Sequence, residues 1–164
     1  MQFPRMEQDT STPKGATPAH VGAQEKTRAD GSLKILVAED DADIRLMMRM
    51  LLGMKGYRVV EACDGQETVD VAKQERPDLI LMDLQLPRLN GFAVARFVRQ
   101  TDSIRDVPIV VVSAHDPARH RNLALAAGCN AYVQKPIDFD RLDELIVSLL
   151  PQKIPENISQ KSGR

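Results

Sequence analysis

The chain has no tryptophan among its 164 residues, and aromatic residues of every kind make up 4% of it. A carrier that clasps a flat cofactor between rings has few rings here to do so. An excess of one charge is also missing: the formal net charge is -1, which excludes a general nucleic-acid glue, so no nucleic acid is expected as a partner. No apolar run approaches the ~18–20 residues of a membrane span, and the amino terminus lacks the apolar stretch of a signal peptide. The chain is therefore expected in the cytoplasm, with no membrane partner. Cysteine is scarce. Cys63 and Cys129 form no CxxC pair, which argues against a disulfide scaffold, and both lie in segments that read as core, so both are expected as buried thiols. His20, His115 and His120 have no metal-ligand spacing with either cysteine.

What is present fits one domain. A content of 43% hydrophobic and 27% charged residues is near the average for soluble globular proteins, and the length suffices for a single core of roughly 100–150 residues. Residues 1–30 hold Pro4, Pro13 and Pro18, balanced charges and almost no aliphatic residues. They bury too little to order themselves and are expected as a disordered leader. Residues 151–164, with Pro151, Pro155, Ser159 and Gly163, are expected as a flexible tail. The folded unit is then 31–150, with no output domain after it, so any output is expected in another protein.

Within that unit, apolar runs too short for helices alternate with segments of helical period. The pattern predicts strands at 33–38, 57–62, 79–82, 109–112 and 131–134. It predicts helices at 42–54, 66–75, 91–101 and 117–127, and a last one whose face is Leu142, Leu145, Ile146 and Leu149. Met47, Met48, Met50 and Met54 read as core filling, and Asp41 and Asp43 as cap and first-turn residues of the first helix. Five β/α units in strict alternation need crossovers, and crossovers are right-handed. The fold class is therefore α/β, a doubly wound five-stranded parallel sheet with five helices. Ligands of such sheets gather beyond the carboxyl ends of the strands.

Those ends carry chemistry. The first strand ends in Glu39-Asp40-Asp41, the third in Asp83, the fourth in Ser113 and the fifth in Lys135-Pro136. Carboxylates gathered at one edge repel and demand a counter-ion. Hard oxygen donors with no His or Cys nearby favour Mg²⁺. The same acidic loop argues against a nucleotide cradle, which needs glycines and free backbone N–H groups. Lys135 as a cation and Ser113 as a hydroxyl donor would hold two oxygens of a transferred phosphoryl group, with Asp83 as the nucleophile that forms an acyl phosphate.

The segments Ile35-Leu-Val-Ala-Glu-Asp-Asp41, Asp83-Leu-Gln-Leu-Pro-Arg-Leu-Asn-Gly91, Val112-Ser-Ala114 and Tyr132-Val-Gln-Lys-Pro136 together resemble the receiver domain of two-component response regulators. The resemblance spans 31–150. It implies a flavodoxin-like strand order 2-1-3-4-5, and a phosphoryl group accepted by Asp83 from a sensor histidine kinase or a histidine phosphotransfer protein. It further implies Mg²⁺ held by Asp40, Asp83 and the backbone carbonyl of Gln85, with Glu39 acting largely through water. Lys135 matches the phosphate-pairing lysine, Ser113 the switch hydroxyl and Tyr132 the aromatic whose rotamer follows it. Gln85 and His115 occupy the positions that tune phosphoryl lifetime, Pro87 and Gly91 shape the loop after Asp83, and Lys135-Pro136 matches a peptide bond that is cis in the family. Leu86 stands where Met is usual. Neutral Asn130 and Ala131 replace the acidic residues through which transcription-factor receivers often pair. The approach to the fifth strand is more similar to stand-alone cell-cycle receivers and the receivers of hybrid kinases, which implies a single-domain regulator whose downstream protein partner is unknown. It is not expected to be an enzyme beyond its own phosphorylation and dephosphorylation.

Three other readings stay open on the residues. A phosphatase or phosphotransferase of the haloacid-dehalogenase type also uses Asp and Mg²⁺, but on the first strand and with a second acid that Gln85 does not supply. A flavodoxin-like cofactor carrier conflicts with the acidic first loop. A receiver-like interaction module that does not use phosphorylation would keep the fold alone. Arg119-His120-Arg121 reads either as a docking patch or, more commonly for such runs, as a solvated helix face.

Overall fold

A computed structural model describes residues 31–150, and the expectations for 1–30 and 151–164 lie outside the described residues. The chain alternates β1 (Lys34–Ala38), α1 (Ala42–Met54), β2 (Arg58–Ala62), α2 (Gly65–Glu75), β3 (Leu79–Met82), α3 (Gly91–Gln100), β4 (Ile109–Ser113), α4 (Pro117–Ala126), β5 (Ala131–Gln134) and α5 (Phe139–Leu149). The boundaries of β1 through β5 fall within one residue of those the pattern predicts. No helix among the described residues is long and apolar enough to cross a membrane.

The five strands form one parallel sheet in the order β2-β1-β3-β4-β5. The chain moves outward from β1 to β2, then reverses to β3, β4 and β5. Because each crossover is right-handed, that reversal puts α1 on one face and α2, α3 and α4 on the other. Alternation along the strands serves both faces. Leu36, Ala38, Ile80, Met82 and Val111 pack under Val69, Ala72, Val94, Val98 and Ala124. Ile35, Val37, Leu79, Leu81, Val110 and Val112 pack under Met48, Leu52, Leu142 and Ile146 of α1 and α5. The β1/β3 pair, with Ala38 opposite Met82, is where strand order reverses, and a crevice opens there by construction.

Each of the five helices begins on an Asp or Asn side chain that accepts a main-chain N–H: Asp41, Asp64, Asn90, Asp116 and Asp138. Such a cap is worth about 1 kcal/mol, and it stops each helix short of the strand end that precedes it. Asp41 is the cap of α1 and Asp43 an exposed first-turn residue, as the sequence predicts.

Two expectations fail. Of the α1 methionines only Met48 is core; Met47 is 41%, Met50 60% and Met54 82% exposed, beside Leu46. The helix is apolar nearly all round; the stripe that meets the sheet, Met48 and Leu52 with Ile44 packed beside them, is the one at helical spacing, and Met47, Met50 and Met54 lie off it. The outer stripe of Leu46, Met47, Met50, Leu51 and Met54 lines a shallow groove of about 360 Å³. Cys129 is buried but Cys63 is exposed, because the chain has already left the sheet after Ala62.

The loop after β3 is seated on the start of α2. The Gly65 N–H donates to the Pro87 carbonyl at 3.1 Å, and a Cβ on Gly65 would stand 1.7 Å from the Leu89 carbonyl oxygen. Gly65→Ala is expected to destabilise the protein by about 1–3 kcal/mol, read as a lower urea midpoint; an unchanged midpoint would contradict the close approach. Thiol chemistry gives a second check. Burial pushes the Cys129 thiol up to about 11, so at about pH 8 a thiol reagent should modify Cys63 alone in the native protein and both cysteines in denaturant. Two thiols reacting at equal rates under native conditions would show the core around Cys129 to be open.

Candidate functional site

Four of the five strands deliver side chains to one end of the sheet. Glu39 and Asp40 follow β1, Asp83 follows β3, Ser113 ends β4 and Lys135 follows β5. Main-chain bonds hold these ends in register. Asp83 N donates to Ala38 O at 3.0 Å, Glu39 N to Ala62 O at 3.1 Å, and Lys135 N to Ser113 O at 2.9 Å. The sequence-predicted residues of strands one, three and five thus meet at the β1/β3 switch point.

The Lys135 ammonium bridges two of the carboxylates, donating to Glu39 Oε2 at 2.7 Å and to Asp83 Oδ2 at 2.8 Å. Asp83 Oδ1 accepts the Gln85 N–H at 3.0 Å. Glu39 is 3% and Asp83 8% exposed, whereas Asp40 is exposed. One oxygen each from Glu39, Asp40 and Asp83 lies within 4.8 Å of the others. Burial raises the Glu39 carboxyl above its ordinary range, and the Asp83 charge adds to that, while the Lys135 hydrogen bond and charge work against both. Burial acts to depress Lys135, but its bonds to Asp83 and Glu39 outweigh it and hold the ammonium above its usual range. Three carboxylates thus face one ammonium at this end of the sheet. A hard divalent cation on carboxylate oxygens fits that donor set, which has no nitrogen or sulfur in it.

Ser113 is fully buried, and its Oγ accepts the His115 N–H at 3.3 Å. Tyr132 is half-buried and its hydroxyl donates to the His115 carbonyl at 2.9 Å. The main chain of His115 therefore links the last residue of β4 to the aromatic of β5. Its ring stacks on His120 with centroids 4.5 Å apart and planes inclined by 21°. Gln85 is exposed at the mouth of the site, and the Lys135-Pro136 bond is cis, as the resemblance implies.

Sequence reasoning gave no role to Arg45, whose Nη1 donates to the Glu39 carbonyl at 2.7 Å and the Asp40 carbonyl at 3.4 Å. Its only sequence signal is an arginine one turn into the helix that follows an acidic loop. Asn130 was noticed only as a neutral residue, yet its Oδ1 accepts from Ile109 N and from Arg99 Nη2, each at 2.9 Å. It fastens the approach to β5 onto β4. A second cluster, Cys63, Asp64 and Glu67, is accounted for by capping, since Asp64 accepts from Glu67 N and Glu67 from Cys63 N.

A model of the response regulator receiver domain matches residues 35–147. The response regulator MprA of Mycobacterium bovis is 36% identical over 129 residues, which is 79% of this chain and 55% of that protein; the chain spans about half the length of that relative. The polar-differentiation response regulator DivK of Brucella anthropi is 34% identical over 116 residues, covering 71% of this chain and 94% of that one. Among solved structures, the receiver domain of the sensor histidine kinase PA1611 of Pseudomonas aeruginosa, with a magnesium ion coordinated in its active-site cleft, is similar at a TM-score of 0.68. It is 33% identical, over 72% of this chain and 97% of that one. Acidic residues gathered at the switch point, a lysine reaching them from the last strand, and a family model covering most of the folded unit lead to one conclusion: the chain belongs to the response regulator receiver family.

Proposed function

We propose that Asp83 is the phosphoacceptor of a phosphorylation-controlled switch, and that the donor is a phosphohistidine on a sensor histidine kinase or a histidine phosphotransfer protein. The observation that carries this reading is the Lys135 bridge to Glu39 and Asp83 beside a third carboxylate, Asp40. In the step, an Asp83 oxygen attacks phosphorus, the P–N bond breaks with its electron pair going to the donor imidazole, and an acyl phosphate forms. Lys135, already at 2.8 Å from Asp83 Oδ2, takes up charge on one phosphoryl oxygen. The Gln85 N–H steadies the other carboxylate oxygen, and the Ser113 hydroxyl is the donor for a second phosphoryl oxygen. Asp40, Asp83 and the Gln85 carbonyl, with Glu39 beside them, would hold Mg²⁺, which would supply neutralising charge to the transferring group.

Switching then follows the main-chain link already described. Movement of Ser113 toward a phosphoryl group draws on its bond to His115, and the His115 carbonyl is the acceptor of the Tyr132 hydroxyl. Phosphorylation thus biases a two-state element and changes which surface a protein partner meets. Gln85 and His115 flank the site and tune how long the acyl phosphate survives. The overlap with the response regulator DivK supports a receiver that passes its signal to a protein partner. A haloacid-dehalogenase mechanism is not favoured, since the candidate nucleophile follows β3 and Gln85 supplies no acid.

Incubation with acetyl phosphate and Mg²⁺ should give one phosphoryl adduct by intact mass, absent without Mg²⁺ and absent in Asp83→Asn. Lys135→Ala should slow its formation by roughly 10²-fold. An adduct that persists in folded Asp83→Asn would move the acceptor to another residue.

A further inference from the structure

The acidic pocket is held from two sides, and only one of them is Lys135. On the solvent side of the β1–α1 junction, Asp40 is exposed, and its carboxylate makes no hydrogen bond or ion pair among the described residues. Nothing on the side chain fixes it, so its place depends on the main chain that carries it. That main chain is gripped by Arg45. The guanidinium donates to the Glu39 carbonyl at 2.7 Å and reaches the Asp40 carbonyl at 3.4 Å, while its Nε faces Glu61 Oε1 of β2 at 3.6 Å. Glu61 in turn is paired with Arg49 Nη1, one turn further along α1, at 3.5 Å. The Arg45 side chain is only 20% exposed, which reduces the screening that makes surface pairs weak. A planar fork with five donors suits one residue to hold two carbonyls and a carboxylate at once.

We propose that Arg45 is a positioning residue for the divalent cation: by holding the Glu39 and Asp40 carbonyls against β2, it keeps both carboxylates where a cation can share them with Asp83. This rests on the reading of the acidic site given under Proposed function. The physical need is clear. Three carboxylates within 4.8 Å of one another push the junction away from Asp83. Lys135 offsets that only for Glu39 and Asp83, leaving Asp40 to its backbone.

The sign of the effect separates positioning from simple charge. A guanidinium near the site repels a divalent cation, so if Arg45 acted only through its charge, its loss would tighten Mg²⁺ binding. If it acts by holding the loop, its loss weakens binding. Groups that orient ligands without touching the metal are typically worth about 10- to 100-fold in metal affinity.

The full chain is titrated with Mg²⁺ by calorimetry and by ¹⁵N amide shifts of Glu39, Asp40 and Gln85, for wild type, Arg45→Gln and Arg45→Lys. The expected result is binding about tenfold weaker in Arg45→Gln. Arg45→Lys, which keeps the charge but loses the fork, should also bind more weakly, and amide shifts remote from the β1–α1 junction should be unchanged before Mg²⁺ is added. Affinity that is unchanged or higher in folded Arg45→Gln overturns the proposal. If Arg45→Gln does not fold, Arg45→Lys decides by the same measure, with wild-type affinity overturning the proposal and weaker binding supporting it. Wild type that takes up no Mg²⁺ is a separate outcome, and it overturns the reading of the acidic site itself.

Discussion

Repulsion among Glu39, Asp40 and Asp83 is the constraint the rest of the structure has to satisfy. Two like charges 4 Å apart repel by about 1 kcal/mol in water and about 4 kcal/mol at an effective dielectric of 20, and here three are gathered with two of them buried. Holding them needs a frame stiffer than the force. The frame is β1 and β3, buried along their whole length and bonded to each other as far as Asp83 N on Ala38 O. The core of such a sheet is close-packed, so a strand end cannot drift without disturbing side chains on both faces. Lys135 answers the charge, and the strands answer the geometry.

The division of the helices between two faces gives the site two kinds of wall. Glu39 and Asp40 lead into α1, which packs with α5 on one layer. The loop after Asp83 leads into α3 and is seated on α2, both in the other layer. The pocket therefore lies between elements belonging to separate cores that share only the sheet. Ser113, His115 and Tyr132 add a third contribution from the β4 and β5 side, joined through one main-chain unit rather than through side-chain packing.

Much of this was legible in the sequence because the fold is written in short, pure signals. Ile109-Val110-Val111-Val112 has no helical alternative of comparable weight, and Asp or Asn stands at the start of every helix. The site was legible because its residues sit at strand ends, where topology alone brings them to one place. What escaped was set by packing. In an α1 that is apolar on most of its circumference, residues off the helical-period stripe look no different from those on it, so Met47, Met50 and Met54 were misread as core alongside Met48. Cys63 looked like core because it directly follows the buried Ala62, although it stands one residue past the end of β2. Arg45 and Asn130 escaped because each works on main-chain groups, and a bond from a side chain to a distant carbonyl or N–H leaves no spacing to read.

The Lys135-Pro136 pair has a role at the margin of the sheet as well as at its centre. β5 is an outer strand of four residues, and an outer strand is a template on which another chain can extend the sheet. Immediately after Gln134 comes a lysine drawn inward to Glu39 and Asp83, followed by a residue with no N–H to offer a ladder. The strand cannot be lengthened in the direction of the site. A chain adding at that edge would find no ladder donor at Pro136, so any pairing along β5 would end at Gln134, short of the acidic pocket.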